Sequence, residues 1–372
     1  MRTSVTNAEL VGGLPQVSVI GTPRAIGEAL GQRLKARLHV LAEYLLENLA
    51  QNSALTHRAK TPDQIRALIA PAAANLAALE PSLAMELESC SRTSGLALED
   101  LLVIHGYSDL QAYLGSTEPA TPSTFVAVPA NQTVMGTPLQ VLVWECDPVL
   151  IPYVTLVHRI PAHGPASLSL TLAGMHTVAF LNEAGLAVAS NALVVTDPAQ
   201  GYFTTHLVAA MTTAPGFSDA VSRSRRGPRW GGRAIHMLTA DGSRESVELS
   251  GKETSVLSDP NQTVPRVHTN HALSEAIKPL TADDPFSRLR LEHVAMAAIR
   301  ARRIEPPQVF SWFGLDIDST TYERPTANDT TTRRKRGLVA NPDGCITLVL
   351  DPAQRCVYLR KGRNAPLERK ML

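Results

Sequence analysis

The feature that most constrains this chain is a pair of apolar runs within residues 121–147. Residues 123–128, Ser-Thr-Phe-Val-Ala-Val, are β-branched and aromatic with no breaker, and residues 139–144 have the same character. Pro129, Asn131, Gly136 and Pro138 punctuate the loop between them. Runs of this kind predict a β-hairpin whose faces are both largely buried. Ser123 opens the first strand and Glu145 follows the second. In an antiparallel hairpin these ends lie side by side. A hydroxyl beside a carboxylate at the end of a buried sheet is a pattern for nucleophilic chemistry. It is also an ordinary way to begin and end a strand, and this stretch alone favours the ordinary reading.

A sheet covered on both faces needs a large core, and a 372-residue chain with 44% hydrophobic residues can supply one, as one large domain or two intimately packed ones. The net charge of +1 argues against a general nucleic-acid binder, which carries a clear basic excess. No window reaches the ~18 uninterrupted apolar residues of a membrane span. Residues 1–19 show no apolar secretory core. Cys90, Cys146, Cys345 and Cys356 are scattered, with no Cys-x-x-Cys pair. Reduced thiols in a cytoplasmic protein are expected.

The first 115 or so residues read as helical after a short strand at residues 17–21. Thr22 caps a helix with Pro23 at its first position, and Ile26, Leu30, Leu34, Leu38, Leu41, Leu45 and Leu49 recur at helical spacing. Thr61-Pro62 repeats that signature and opens a second helix, expected to run to Leu79. Pro81 opens a third, and residues 98–114 make a fourth. Residues 115–122 form a linker. Strands are expected at 123–128, 139–144, 153–160, 167–172, 177–181 and 186–191, with a hairpin turn at residues 182–185. Residues 203–224 return to helical spacing, interrupted at Pro215-Gly216. Further strands are expected at 234–239, 246–249, 253–257 and 265–268, a helix at 286–303 and a last hairpin at 345–351 and 355–360. Sheets packed on each other and covered by helices form a layered α+β arrangement.

Three stretches together resemble one family, the acyl-coenzyme A:6-aminopenicillanic-acid acyltransferase-like group of C45-type N-terminal-nucleophile (Ntn) hydrolases. The Gly21-Thr-Pro-Arg-Ala-Ile-Gly27-Glu-Ala-Leu-Gly31 stretch resembles the family's opening motif. Residues 181–193, with Gly185 and Asn191, are similar to its Asn-x-Ala-Gly hairpin, and His268-Thr269-Asn270-His271 to its His-Thr-Asn-His motif. The order and spacing match over residues 17–300. The resemblance implies a four-layer αββα sandwich. It also implies a proenzyme that cuts itself ahead of a nucleophile at the start of a central strand, whose new α-amine then serves as its base. Aligned back from Trp144, the family's cysteine falls on Ser123, its threonine on Thr124 and the preceding glycine on Pro122. Residues 1–122 would then be a released helical chain packed on the sheet, and residues 123–372 the catalytic core. The chain departs from the pattern at three points: serine replaces cysteine, Val143 and Glu145 replace Asn and Asp, and Pro122 replaces glycine. An alignment shifted by one would put Pro122 at the nucleophile, and that version is a dead enzyme.

The resemblance implies Ser123 as nucleophile, Asn270 as the oxyanion-hole asparagine and Glu145 as the group orienting the amine or the nucleophile. Asn191 would support the site, and an arginine of the C-terminal third would hold it, Arg324 being the positional candidate. Ser123, Asn270, Glu145 and Asn191 each have a plainer reading, respectively a strand-start hydroxyl, a turn asparagine, a strand-end carboxylate and a cap. His268 and His271 are spaced too loosely for a metal pair without a third ligand, and neither metal nor cofactor is expected. The clusters Arg223, Arg225, Arg226, Arg229 and Arg333–Arg336 read as solvated loops or a rim for an anionic substrate such as a coenzyme A phosphate. The expected partner is a small acyl amide or acyl donor, with no nucleic acid and no membrane. The halves would stay associated, and a homodimer is left open. Hydrolysis of, or acyl transfer from, a linear non-peptide amide is the expected activity, and the rival is a silent member of the fold that binds such an amide or a partner protein.

Overall fold

The computed structural model describes residues 9–56, 58–115, 121–315 and 330–372. Two strands, β1 (Leu10–Val11) and β2 (Leu14–Gly21), precede five helices: α1 (Pro23–Ala54), α2 (Pro62–Ile69), α3 (Ala72–Leu79), α4 (Pro81–Ser94) and α5 (Leu98–Tyr113). Then come β3 (Ser123–Val128), β4 (Leu139–Glu145), β5 (Val154–Pro161), β6 (Ser167–Leu172), β7 (His176–Asn182) and β8 (Leu186–Leu193). The helices α6 (Thr204–Ala210) and α7 (Phe217–Ser224) lead to β9 (Gly232–Thr239), β10 (Arg244–Leu249), β11 (Thr254–Val256) and β12 (Arg266–His268). The chain closes with α8 (Pro285–Arg300), α9 (Thr330–Lys335), β13 (Cys345–Asp351), β14 (Cys356–Lys361) and β15 (Glu368–Met371).

The strands form two sheets, one of nine in the order β1-β2-β5-β6-β7-β8-β9-β10-β11 and one of six in the order β12-β3-β4-β13-β14-β15. Alternation along each strand sorts side chains into layers. On β3 and β4, Phe125, Ala127, Leu142 and Trp144 join a core shared with Ala179, Leu181, Ala187 and Ala189 of the larger sheet. Val126, Val128, Val141 and Val143 point the other way and pack under Val294 and Ala298 of α8. On the far side, Phe180, Val188, Ile235 and Met237 pack under Leu207, Val208 and Met211 of the α6 region. The expected helix–sheet–sheet–helix sandwich is therefore the architecture observed.

Local chemistry explains where the elements start and stop. Thr22 accepts from the Ala25 amide at 3.3 Å, with Pro23 where a missing N–H is harmless. Thr61 and Gln64 complete a reciprocal capping box. The single helix expected from residue 61 to 79 is two, α2 and α3, because Pro71 removes a ladder donor and its ring crowds the preceding turn. The first segment is also more than helical. Its β2 pairs in parallel with β5, from Gln16 opposite Leu156 to Gly21 opposite Pro161, so it contributes two strands to the larger sheet. The 32-residue α1 carries Arg, Lys and Glu along its length, and no described helix is long and apolar enough to cross a membrane.

Candidate active site

β3 and β4 pair from Ser123 opposite Trp144 to Val128 opposite Leu139. The pairing extends one step further, since the Glu145 amide donates to the Pro122 carbonyl at 2.8 Å. Ser123 shares its face with Phe125 and Ala127, so its hydroxyl points between the sheets, where β8 brings Asn191 to meet it. Asn191 Nδ2 donates to Ser123 Oγ at 2.7 Å. β12 lies against β3, with Val267 opposite Val126, and the chain leaving β12 delivers Asn270 to the same hydroxyl. Asn270 Nδ2 lies 3.2 Å from Ser123 Oγ and 3.0 Å from the Ala192 carbonyl, while its Oδ1 accepts from the Ser123 amide at 2.7 Å. Two side-chain amides thus converge on one buried hydroxyl, and one of them also grips the serine nitrogen.

Each asparagine is held by a residue that its own motif does not contain. The His236 ring lies flat on Phe125, with centroids 3.9 Å apart and planes 8° from parallel. Its Nε2 is 2.9 Å from Asn191 Oδ1 and its Nδ1 is 2.8 Å from Ser246 Oγ. With Asn191 Nδ2 committed to serine, its Oδ1 is an acceptor. The imidazole is therefore assigned as the Nε2–H tautomer, with Ser246 donating to Nδ1. Burial, then His268 and Arg266, hold His236 well below the ordinary histidine range, which keeps the ring neutral. Asn270 is held by Arg290 of α8, whose Nη2 donates to Asn270 Oδ1 at 2.7 Å and whose Nε donates to Thr124 Oγ1 at 3.2 Å.

Thr124, on the opposite face from Ser123, therefore meets the site through Arg290. Glu145 faces the α8 side as well. Its Oε2 accepts from the Ala340 and Asn341 amides at 2.8 and 3.4 Å, and its charge attracts that of Arg290. Burial raises its carboxyl above the ordinary range, opposed chiefly by Arg290. The structure thus brings Ser123, Asn191 and Asn270 into direct contact and places Thr124 and Glu145 one step away, behind Arg290. Arg324 lies outside the described residues. Sequence reasoning missed Arg290 and His236. Arg290 left a signal, because it falls with Ser287, Val294 and Ala298 on the buried stripe of α8, where a lone cation stands out. His236, in a strand of alternating pattern, left none.

No family model matches the chain, and no curated protein matches it. Among solved structures it is similar to an N-acylethanolamine-hydrolyzing acid amidase ortholog of Caenorhabditis elegans, covering 67% of this chain and 99% of that one at 12% identity and a TM-score of 0.40. A conjugated bile acid hydrolase variant of Clostridium perfringens covers 67% of this chain and 92% of its own at 13% identity and a TM-score of 0.46. Penicillin V acylase of Agrobacterium tumefaciens covers 66% and 84% at 11% identity and a TM-score of 0.36.

The other polar groups are tied into the scaffold. His268 faces Glu248 at 2.8 Å and the Thr269 carbonyl at 2.7 Å, and His271 Nδ1 faces Ser287 Oγ at 2.7 Å. The first arginine cluster is not one cationic face. Arg223 pairs with Glu80 and Asp219 and Arg225 with Glu245, while Arg229 is buried and donates to the Ser250 and Glu253 carbonyls. In the second, Arg333 is buried and donates to the Val339 carbonyl.

Proposed function

We propose that the chain is an amidohydrolase or N-acyltransferase of the N-terminal-nucleophile type, acting on a linear, non-peptide amide through Ser123. The observation that carries this reading is the Ser123 hydroxyl flanked by the amide nitrogens of Asn191 and Asn270 at 2.7 and 3.2 Å. A serine hydroxyl needs a base. Among the described residues its contacts in the intact chain are those two amides, and neither can take a proton. A free α-amine on Ser123 can, and self-cleavage supplies it. In that step Ser123 Oγ attacks the Pro122 carbonyl carbon. The oxygen that becomes negative already accepts from the Glu145 amide. The C–N bond then breaks, the nitrogen takes the hydroxyl proton, and water opens the resulting ester to a Pro122 carboxylate and a Ser123 α-amine.

In turnover the amine would take the Oγ proton while Oγ adds to the substrate carbonyl. The side-chain N–H groups of Asn191 and Asn270 would donate to the tetrahedral oxyanion, and Asn270 Oδ1, already on the serine nitrogen, would hold the amine in place. The protonated amine then gives its proton to the departing amine, and water or an acceptor amine takes the acyl group. A second reading, a silent binder of small acyl amides, is favoured by Pro122. Proline locks φ and crowds the carbonyl under attack, where glycine would accept strain.

The intact mass of the denatured protein separates the two. A working nucleophile gives polypeptides 1–122 and 123–372 that co-purify. Ser123→Ala abolishes the cut, Ser123→Cys keeps or speeds it, and Pro122→Gly speeds it. A chain that stays whole through prolonged incubation, and is cut only when Pro122→Gly and Ser123→Cys are combined, would overturn the enzyme reading.

A further inference from the structure

A cavity of about 30 Å³ opens beside the Ser123 hydroxyl, and its wall includes Trp144, Tyr107, His176 and the guanidinium-bearing Arg233 of β9. Arg233 is 3% exposed. Its Nε donates to Thr204 Oγ1 at 2.8 Å, its Nη1 to Ser190 Oγ at 3.1 Å and its Nη2 to Ser108 Oγ at 2.9 Å. All three acceptors are neutral hydroxyls, from α6, β8 and α5. A guanidinium carries five N–H donors, so these bonds leave two without a partner among the described residues. Arg233 forms no direct ion pair there. Asp109 is bridged to it by Thr204, whose hydroxyl donates to Asp109 Oδ1 at 2.6 Å while accepting from Arg233, and the Asp109 charge offsets part of the cost of burying the guanidinium.

A buried cation without an anion in contact is costly to keep, and three hydroxyls would orient a neutral donor equally well. The charge earns its place if a ligand brings the anion. The fork of a guanidinium matches a carboxylate, which it binds through paired charge-assisted bonds. The cavity has room for about two water molecules, which is the size of a carboxylate rather than of a long acyl chain.

We propose that Arg233 is the subsite for a carboxylate carried by the substrate, so that the amide attacked by Ser123 is anionic, with its carboxylate a few bonds from the scissile carbonyl. This rests on the reading of Ser123 as nucleophile. The carboxylate could belong to the acyl half, as in a half-amide of a short dicarboxylic acid, or to the amine half, as in an N-acyl amino acid. Both present the same group to Arg233.

The test separates the anion site from the nucleophile. Isothermal titration of the full-length Ser123→Ala chain with glutarate and with its neutral diamide, glutaramide, reads the site without turnover. Glutarate should bind one to one and at least tenfold more tightly than glutaramide. Arg233→Met in the same background should lower the glutarate affinity at least tenfold. Equal affinities for the pair, or no glutarate binding at 10 mM, would overturn the proposal, and this comparison decides alone if Arg233→Met does not fold. Turnover by the unmodified chain is then compared on glutaryl-4-nitroanilide, N-butyrylglycine and butyryl-4-nitroanilide. A kcat/KM at least tenfold higher for one of the carboxylated amides supports the proposal and says which half carries the charge. Equal turnover of the neutral anilide overturns it and leaves the nucleophile standing. Glutarate binding with all three amides inert would overturn the substrate assignment along with the nucleophile, leaving only an anion-binding protein.

Discussion

A hydroxyl that receives two amide donors is stabilised most when it is negative, and the same two donors serve an oxyanion better still. Asn191 and Asn270 are therefore the residues whose loss should be felt in rate rather than in folding. Asn270→Asp is the sharper change, because it keeps the Oδ1 acceptor for the Ser123 amide and for Arg290 but removes the donor to Oγ. On a turned-over amide it should lower kcat by about 10²–10³-fold, the usual loss of one oxyanion donor. A steady-state assay with an unchanged melting curve checks it, and parental turnover would remove Asn270 from the proposed oxyanion hole. Asn191 and Asn270 could be picked out in the sequence because each sits in a short stretch whose neighbours match the resembled motif, whereas Ser123 could be placed only by counting back from Trp144, past departures at Pro122, Val143 and Glu145. His236, Arg290 and Arg233 could not. Their roles depend on which strand and helix come to lie opposite, and no local spacing encodes that.

At the scale of elements, local signals placed most starts and stops. Capping threonines, helix-opening prolines and alternating strands survive into the fold because they act within a few residues. What they could not give was the partner of each surface. The Gly27 and Gly31 pair of the opening motif is the clearest case. An added Cβ at Gly27 would stand 2.0 Å from the Glu86 carbonyl oxygen, and one at Gly31 would stand 2.1 Å from Thr93 Oγ1 and 2.6 Å from the Cys90 carbonyl oxygen. The motif thus lets α1 and α4 touch backbone to backbone. In an isolated helix, Gly→Ala gains about 1 kcal/mol of propensity. Here the α4 backbone cannot withdraw, and overpacking costs about 1–3 kcal/mol or more. Gly27→Ala should be net destabilising, with a lower urea midpoint and an unchanged slope. A raised midpoint would mean that the two helices are free to part.

The whole molecule buries three histidines at the seam between α5, β7 and α6, and one of them, His176, also lines the cavity beside Ser123. The His105 and His206 rings meet edge to face with centroids 5.0 Å apart, and neither His206 nitrogen has a hydrogen-bond partner among the described residues. Burial first, then Arg159, pushes His105 down to about 3. Burial, then Arg233 and His105, pushes His176 down to about 3, against two backbone bonds that raise it. Burial, then the other two rings, holds His206 well below the ordinary value. The sign of the effect on stability follows. From pH 6.5 down towards 3 the unfolded chain takes up protons on these rings and the folded chain does not. Their contribution is thus fully present above pH 6.5 and is lost as the pH falls towards 3. Three such protons give a slope of up to about 4 kcal/mol per pH unit, since each contributes about 1.4. Asp109 and Glu145, both raised by burial, take protons first in the folded chain and subtract from that slope. His206→Leu removes one of the three protons and replaces an unbonded ring by an apolar side chain of similar reach, which can be neutral or stabilising. The unmodified protein should lose melting temperature steeply between pH 7 and pH 5. The variant should lose less over the same interval, since one of at least five rings held below the ordinary range no longer contributes, read by calorimetry at both pH values. Parallel losses in the two proteins would mean that the rings take up protons in the folded state and that this seam admits charge.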